Sequence, residues 1–529
     1  MLHHELLLVL SLLFAIGVLH VLSGRLGISY PILLVLGGLA LSLVPGAPHV
    51  SLDPDLVFLV FLPPLLYEAA WFTPWKEFVR LRGPIALQAF GLVLCTAGAV
   101  ALFAHALIPQ FSLALGFMLG GIISPPDAVA ATSVLHGMRV PRVAVGILEG
   151  ESLVNDAASL IVFRFALAAV VTGSFVPVDV VGEFFRVSLG GVGVGLGVAL
   201  LVYGLHRLLP SAPSVDASLT VMTPYLMYLA AEGLGCSGVL AVVAGGLFLS
   251  ARAHDFLSAT SRVQANFVWS TLVFLLNGFV FILIGLQLPR ITEGLGAEAL
   301  ADATGYALAI SLLTIVVRFA WVFAAAAALR LRRSRPVDAP DPDWKALVVI
   351  AWAGMRGVVS LASALAVPLT LADGVTAFPH RHLILFITFV VILVTLVLQG
   401  ISLPLVVRLL RFGPGDEVRR ARDEQALSAH LAAAALAHLD RHYPDEHRQH
   451  DAIQRVRAHH AAVLHAAQTG LPVEADLRAE HHKLMLDLVR AQKRALLLAR
   501  RDGTYDHEVL RAAEEQLDME EVRLHRALH

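Results

Sequence analysis

Residues 146–164 read GILEGESLVNDAASLIVFR. The stretch is apolar enough to lie in a lipid bilayer, yet it carries Glu149, Glu151, Asn155 and Asp156. An ionisable group near a bilayer centre costs roughly 2.5–3.5 kcal/mol on insertion scales, so such groups are retained for a function or a partner. At helical spacing Ser152, Asn155 and Asp156 fall on one side, with Glu151 one step round. A hydroxyl, an amide and a carboxylate are hard oxygen ligands of the kind that suit small alkali cations. The plainer alternative is a polar cluster that hydrogen-bonds one helix to the next.

The surrounding composition agrees with a membrane setting. The chain has 529 residues, 57% hydrophobic and only 15% charged, with a mean hydropathy of +0.74. A soluble protein carries about 25% charge. The deficit is confined to residues 1–411, which are long apolar runs broken by short polar or Gly/Pro loops, whereas residues 412–529 are dense in Arg, Glu, Asp and His. The chain therefore reads as an all-α polytopic membrane domain followed by a cytoplasmic helical tail. A net charge of −2 points to no nucleic-acid partner. Cys95 and Cys236, the two cysteines, give neither a disulfide framework nor zinc spacing. The N-terminal MLHHELLLVLSLLFAIGVLHVLSG lacks a basic leader and runs into further apolar segments, so it reads as the first helix.

Apolar runs predict thirteen helices, over 5–23, 30–47, 55–72, 83–108, 112–136, 143–172, 184–209, 217–233, 236–252, 264–287, 303–329, 346–371 and 382–411. With the N-terminus outside, fourteen Lys and Arg fall in inner loops and three in outer ones. The positive-inside rule then places the tail in the cytoplasm.

Two further segments carry polar groups into the membrane. GGIISPPDAVAATSVL (120–135) has a Pro-Pro pair in mid-span, which removes two backbone donors and disfavours helix at Ser124. A helix broken there leaves Asp127 among loose carbonyls and a new helix N-terminus, a ready cation or proton site; alternatively, Asp127 only caps the second half-helix. In VVIAWAGMRGVVSLASALAVP (348–368), Arg356 lies between Gly354 and Gly357, which permit a second unwound segment. A permanently charged guanidinium there needs a carboxylate, and Glu151 is the expected partner, leaving Asp156 free to titrate. The alternative is that Arg356 caps carbonyls of its own broken helix. Glu68, after the Pro-Pro pair of FLPPLLYEAAW (61–71), is either a site residue or a structural acid. Arg318, in LLTIVVRFAWVF (312–323), is a second buried cation expected to neutralise an acid or a helix C-terminus. Asn277 and Gln287 are expected to hold helices together.

GESLVND (150–156), SPPDAVA (124–130), FLPPLLYEA (61–69) and GMRGVVSLA (354–362), at these separations, resemble the monovalent cation–proton antiporter family, specifically its bacterial NhaP-like sodium/proton antiporters. FLLNGFVFILIGLQLP (274–289) resembles the same branch. The resemblance covers about residues 5–411. It implies thirteen helices in two inverted repeats, two unwound helices crossing at mid-membrane, and a homodimer in the cell membrane. It also implies core helices over about 83–172 and 303–411, interface helices over about 5–72 and 217–287, and a linker helix over about 184–209. Carried over by motif, Asp156 binds the ion or proton, with Asp127 and Ser152 beside it. Asn155 is a stabilising companion and Glu68 a contributor from the other domain. Glu151 and Arg356 resemble the family's buried ion pair. Pro126 departs from the pattern, since many relatives have Thr immediately before this aspartate; Ser124 or water is the expected replacement.

The activity so implied is electroneutral exchange of Na⁺, or of Li⁺ or K⁺, for H⁺, without a cofactor. A carboxylate removed from water takes up a proton more readily, so proton and dehydrated cation compete for it. A K⁺/H⁺ antiporter of the same fold is the alternative reading. A proton-coupled symporter would need a larger polar cavity, and a channel would need no Asp/Arg network beside broken helices. An enzyme is not expected, since no nucleophile–base or phosphate-binding motif appears. Thirteen of the 23 histidines lie in the tail. They read as a cytoplasmic pH sensor, a metal site at His447 and His450, or a solvated appendage.

Overall fold

Proline and glycine decide where the helices of this chain stop. A computed structural model describes residues 2–44, 54–173, 177–208, 212–293, 297–331, 343–371, 375–413, 415–443, 451–469 and 475–502, with 513, 516–522 and 524. It divides into two compact units, Met1–Phe412 and Gly413–His529.

In the first unit the helices follow the apolar runs. Nine described segments are long and apolar enough to cross a membrane, among them Pro54–Phe72, Arg82–Leu107, Leu113–Leu135, Arg142–Thr172 and Arg381–Leu410. Tyr30–Ser42 and Gly238–Ala251 are shorter apolar helices. Leu2–Leu26 leaves a row of large apolar side chains exposed, among them Leu6, Leu10, Phe14 and Val21. Pro213–Gly233 and Gly238–Ala251 are separate because the chain turns at Gly235, whose φ of 66° is left-handed.

Helices approach closely where side chains are small. A Cβ on Gly120 would lie 2.7 Å from the Cα of Ala97, and one on Gly116 equally close to Ala101. Leu113–Ile123 and Arg82–Leu107 therefore pack backbone to backbone, as small residues allow in lipid.

Two helices are interrupted. Leu113–Ile123 ends at Ser124, and Ala128–Leu135 begins after Asp127. Pro125 and Pro126 supply the cause, having no N–H to continue the ladder. Trp344–Trp352 ends at Ala353, and Val358–Leu365 restarts after Gly357. The Pro-Pro pair before Glu68 does not interrupt its helix. A π-helical turn, Val57–Phe61, stands just before Pro63 and Pro64 within the continuous helix Pro54–Phe72, and its wider turn accommodates the two residues that lack an N–H.

The second unit is helical over Gly415–His442, Asp451–Thr469 and Ala475–Asp502. The first two run antiparallel, with Gln425 donating to the Ala467 carbonyl at 3.2 Å and Arg457 paired to Asp440 at 2.9 Å. Among the described residues no cluster of His, Cys, Asp or Glu could hold a metal ion. His447 and His450 lie outside the described residues.

Candidate ion-binding site

The two interruptions touch. The Asp127 N–H donates to the Met355 carbonyl at 2.7 Å, so the backbone of one break is hydrogen-bonded to that of the other. Asp127 is also the N-cap of Ala128–Leu135, its Oδ1 accepting from Val129 N at 2.8 Å and more weakly from Ala130 N at 3.5 Å. Its Oδ2 lies so near Gly357 that any Cβ there would strike the carboxylate. Gly357 is the N-cap of Val358–Leu365. Asp127 thus sits between two half-helix N-termini, whose partial positive charge favours an anion.

The Arg142–Thr172 helix supplies the rest. Asn155 Nδ2 donates to the Pro126 carbonyl at 2.9 Å, and Ser152 Oγ accepts from Ala128 N at 3.4 Å. Asp156 is one helical turn from Ser152 and only 8% exposed. No protein donor among the described residues reaches its carboxylate, in contrast to Asp127. Both acids line one cavity of about 70 Å³, together with Ser152, Asn277, Ser360, Pro126 and Gly357. Such a space takes a handful of waters or a partly hydrated cation. Its apolar wall is Leu62, Leu65, Leu66 and Ala69, one face of the Leu62–Phe72 helix. Leu62, Leu66 and Leu153 belong to one apolar cluster, whereas Leu65, Val129 and Val358 pack on another. The cavity lies on the seam between them.

The buried ion pair differs from expectation. Glu151 is bound by Arg318, not by Arg356, with bonds of 2.6 and 3.0 Å from the two terminal nitrogens to the two carboxylate oxygens. The side chains are 1% and 0% exposed. Arg318 Nε also donates to the Ile350 carbonyl at 3.1 Å, at the end of Trp344–Trp352. Arg356 instead caps backbone. Its Nε donates to the Ile123 carbonyl at 3.0 Å, one terminal nitrogen bonds the Gly354 carbonyl, and its N–H meets Thr395 Oγ1 at 3.1 Å. Each arginine therefore satisfies the carbonyl end of an interrupted helix, where the dipole is negative. A bidentate fork fits a carboxylate, and Arg318 reaches Glu151 in that geometry. Sequence spacing could not rank two mid-span arginines against one acid.

Other expectations shift too. Glu68 is half-buried and is not among the cavity-lining residues, although Leu65, Leu66 and Ala69 around it are. Ser124 does not replace the missing Thr hydroxyl, because its Oγ bonds the Gly121 carbonyl at 3.2 Å. Asn277, read as helix glue, lines the cavity. Its only signal was an amide inside an apolar run.

The family described as "Sodium/hydrogen exchanger, transmembrane" matches residues 9–409. The chain belongs to the sodium/hydrogen exchanger family. The "Uncharacterized Na(+)/H(+) exchanger" of Mycobacterium tuberculosis is 35% identical over 98% of this chain and 96% of its own, so the likeness to that exchanger runs through the tail. A "Sodium, potassium, lithium and rubidium/H(+) antiporter" of Bacillus pumilus is 35% identical over 72% of this chain and 57% of its own. The fold is similar to that of the sodium proton antiporter MjNhaP1 from Methanocaldococcus jannaschii, with a TM-score of 0.61 at 19% identity, over 78% of this chain and 100% of that one. The exchanger is an NhaP-like multi-pass membrane transporter, not an enzyme, and Na⁺ and H⁺ are its substrates.

Proposed function

We propose that the exchanger moves one Na⁺ against one H⁺, both carried in turn by Asp156. The difference between the two cavity acids carries this reading. Asp127 is tied by backbone donors and sits between two helix N-termini, while the Asp156 carboxylate has no protein donor among the described residues and lines the cavity. Asp127 stays an anion and supplies a fixed ligand and field. Asp156 exchanges a proton for a dehydrated cation, with Ser152 as a neutral ligand and Asn155 holding the break in shape. Glu151 with Arg318 is the structural pair, and Glu68 attracts cations from outside the first coordination layer.

The position on a seam supports alternating access. Movement of one helical body against the other exposes a single site to each side in turn. The nine long spans, the two shorter apolar helices, Pro213–Gly233 and the interrupted Trp344–Leu365 segment make thirteen crossings in this reading. The two interrupted helices cross at mid-membrane as inverted counterparts, with core helices over 83–172 and 303–411, interface helices over 5–72 and 217–287, and the 184–209 helix linking them. The N-terminus is outside, the 412–529 tail is cytoplasmic, and the protein pairs as a homodimer in the cell membrane.

A wider cation range has its own support. The residue before Asp127 is Pro126, whose carbonyl is engaged by Asn155, so one hydroxyl ligand is missing from the cavity. The similar Bacillus antiporter is named for four cations. Purified exchanger in proteoliposomes should acidify or alkalinise the lumen when Na⁺, Li⁺ or K⁺ gradients are imposed. The rate should peak at intermediate pH, since protons displace the cation at low pH and become scarce at high pH. Conductance without cation-coupled proton movement would contradict exchange.

A further inference from the structure

We infer that Asn277, oriented by Tyr30, is a further ion-contacting residue that sets cation affinity. The inference rests on the reading of Asp156 as the carrier. Every other polar side chain lining the cavity, namely Asp127, Ser152, Asp156 and Ser360, comes from an interrupted helix or from Arg142–Thr172. Asn277 comes from Ala259–Leu286, a different wall, and is 3% exposed. A buried amide facing two carboxylates across so small a space is placed to touch whatever neutralises them.

Its orientation is fixed by aromatic packing. The Tyr30 hydroxyl, on the neighbouring Tyr30–Ser42 helix, lies within reach of the Asn277 side chain. The Tyr30 ring is held by His20 at 5.7 Å and Phe274 at 6.4 Å between centroids, and His20 meets Phe274 edge-on at 4.9 Å. Phe274 lies one helical turn before Asn277, so the cluster fixes the turn that carries the amide. An amide offers two N–H donors and a carbonyl acceptor. When its NH₂ serves the phenol, its Oδ1 is left for a cation, as a hard neutral ligand of the type carbonyl oxygens provide. A neutral oxygen adds a ligand to a dehydrated Na⁺ without adding charge, whereas protonated Asp156 can offer it at most one hydrogen bond. Asn277 accordingly biases the competition at Asp156 towards the cation.

The test is cation-driven proton flux in proteoliposomes carrying the full chain, measured against Na⁺, Li⁺ and K⁺, with thermal stability in detergent measured in parallel. Asn277→Ala should raise the apparent KM for Na⁺ about tenfold, the scale of one lost polar contact, while lowering the maximal rate much less. The ratio of Na⁺ to K⁺ affinities should change with it. Tyr30→Phe keeps the ring and frees the amide, so it should move KM in the same direction by a smaller factor at parental stability. An unchanged KM in Asn277→Ala, or a fall in rate and stability together at parental KM, overturns the inference. If Asn277→Ala does not fold, Tyr30→Phe decides, and parental KM there overturns it. Asp156→Asn in the same vesicles separates the two levels. Exchange persisting in that variant removes the carrier reading itself, whereas its loss with parental KM in Asn277→Ala removes only the role of Asn277.

Discussion

Asp156→Asn abolishes cation-driven proton movement and leaves a folded, membrane-inserted protein. The substitution keeps the shape of the side chain but removes the cavity carboxylate that no protein donor among the described residues ties down. An amide accepts neither a proton near neutral pH nor the charge of a dehydrated cation, so both halves of the cycle stop. Stability should hold or rise, because a charge in a cavity of about 70 Å³ is replaced by a neutral group. Flux assays on purified protein, with thermal melting as the folding control, check both parts. Substantial exchange in the variant would mean that another group carries the ions.

The second large effect falls on folding. Arg318→Ala leaves Glu151, 1% exposed, without the guanidinium bound to it, and leaves the Ile350 carbonyl without its cap. Breaking one side of a buried pair costs roughly 3–5 kcal/mol, against a total stability that is rarely much larger. Arg318→Ala should therefore lose most of its folded yield. Arg356→Ala removes caps from the Ile123 and Gly354 carbonyls but strands no carboxylate in direct contact, so its loss should be smaller. Adding Glu151→Gln should recover part of the stability of Arg318→Ala and none of that of Arg356→Ala, a double-mutant cycle that identifies the pair. Equal rescue of both arginine variants would show that Glu151 is shared between them.

Much of this was legible in sequence because membrane burial makes polar residues conspicuous. Pro125 and Pro126 announce a broken helix wherever they stand in an apolar run, and Asp127 is then forced to its N-cap. The spacing of Ser152, Asn155 and Asp156 gave their common side without coordinates. Pairing was a different matter. Glu151 had two candidate guanidiniums, and which one reaches it depends on where the Ala297–Leu331 helix packs against the Trp344–Trp352 segment. Whether Glu68 or Asn277 lines the cavity was not legible for a related reason. On a helix beside a cavity, one step of rotation separates a lining residue from a non-lining one, and the apolar face of Leu62–Phe72 turned Leu65, Leu66 and Ala69 inward instead. Sequence periodicity places a residue on a face but does not say which face meets the site.

If Asp127 keeps its charge between the two half-helix N-termini, and Glu151 is held by Arg318, only Asp156 changes occupant during the cycle. Asn155, where a second acid would bring a second proton, bonds the Pro126 carbonyl and carries no charge. The moving body then bears the same net charge with Na⁺ as with H⁺, and a membrane potential does no work on the exchange. The direct measurement is Na⁺-driven proton flux in proteoliposomes with the potential held at zero and then at imposed values of either sign. Rate and end point independent of the potential are the expected result; a clear dependence of the end point on voltage would contradict one-for-one exchange at Asp156.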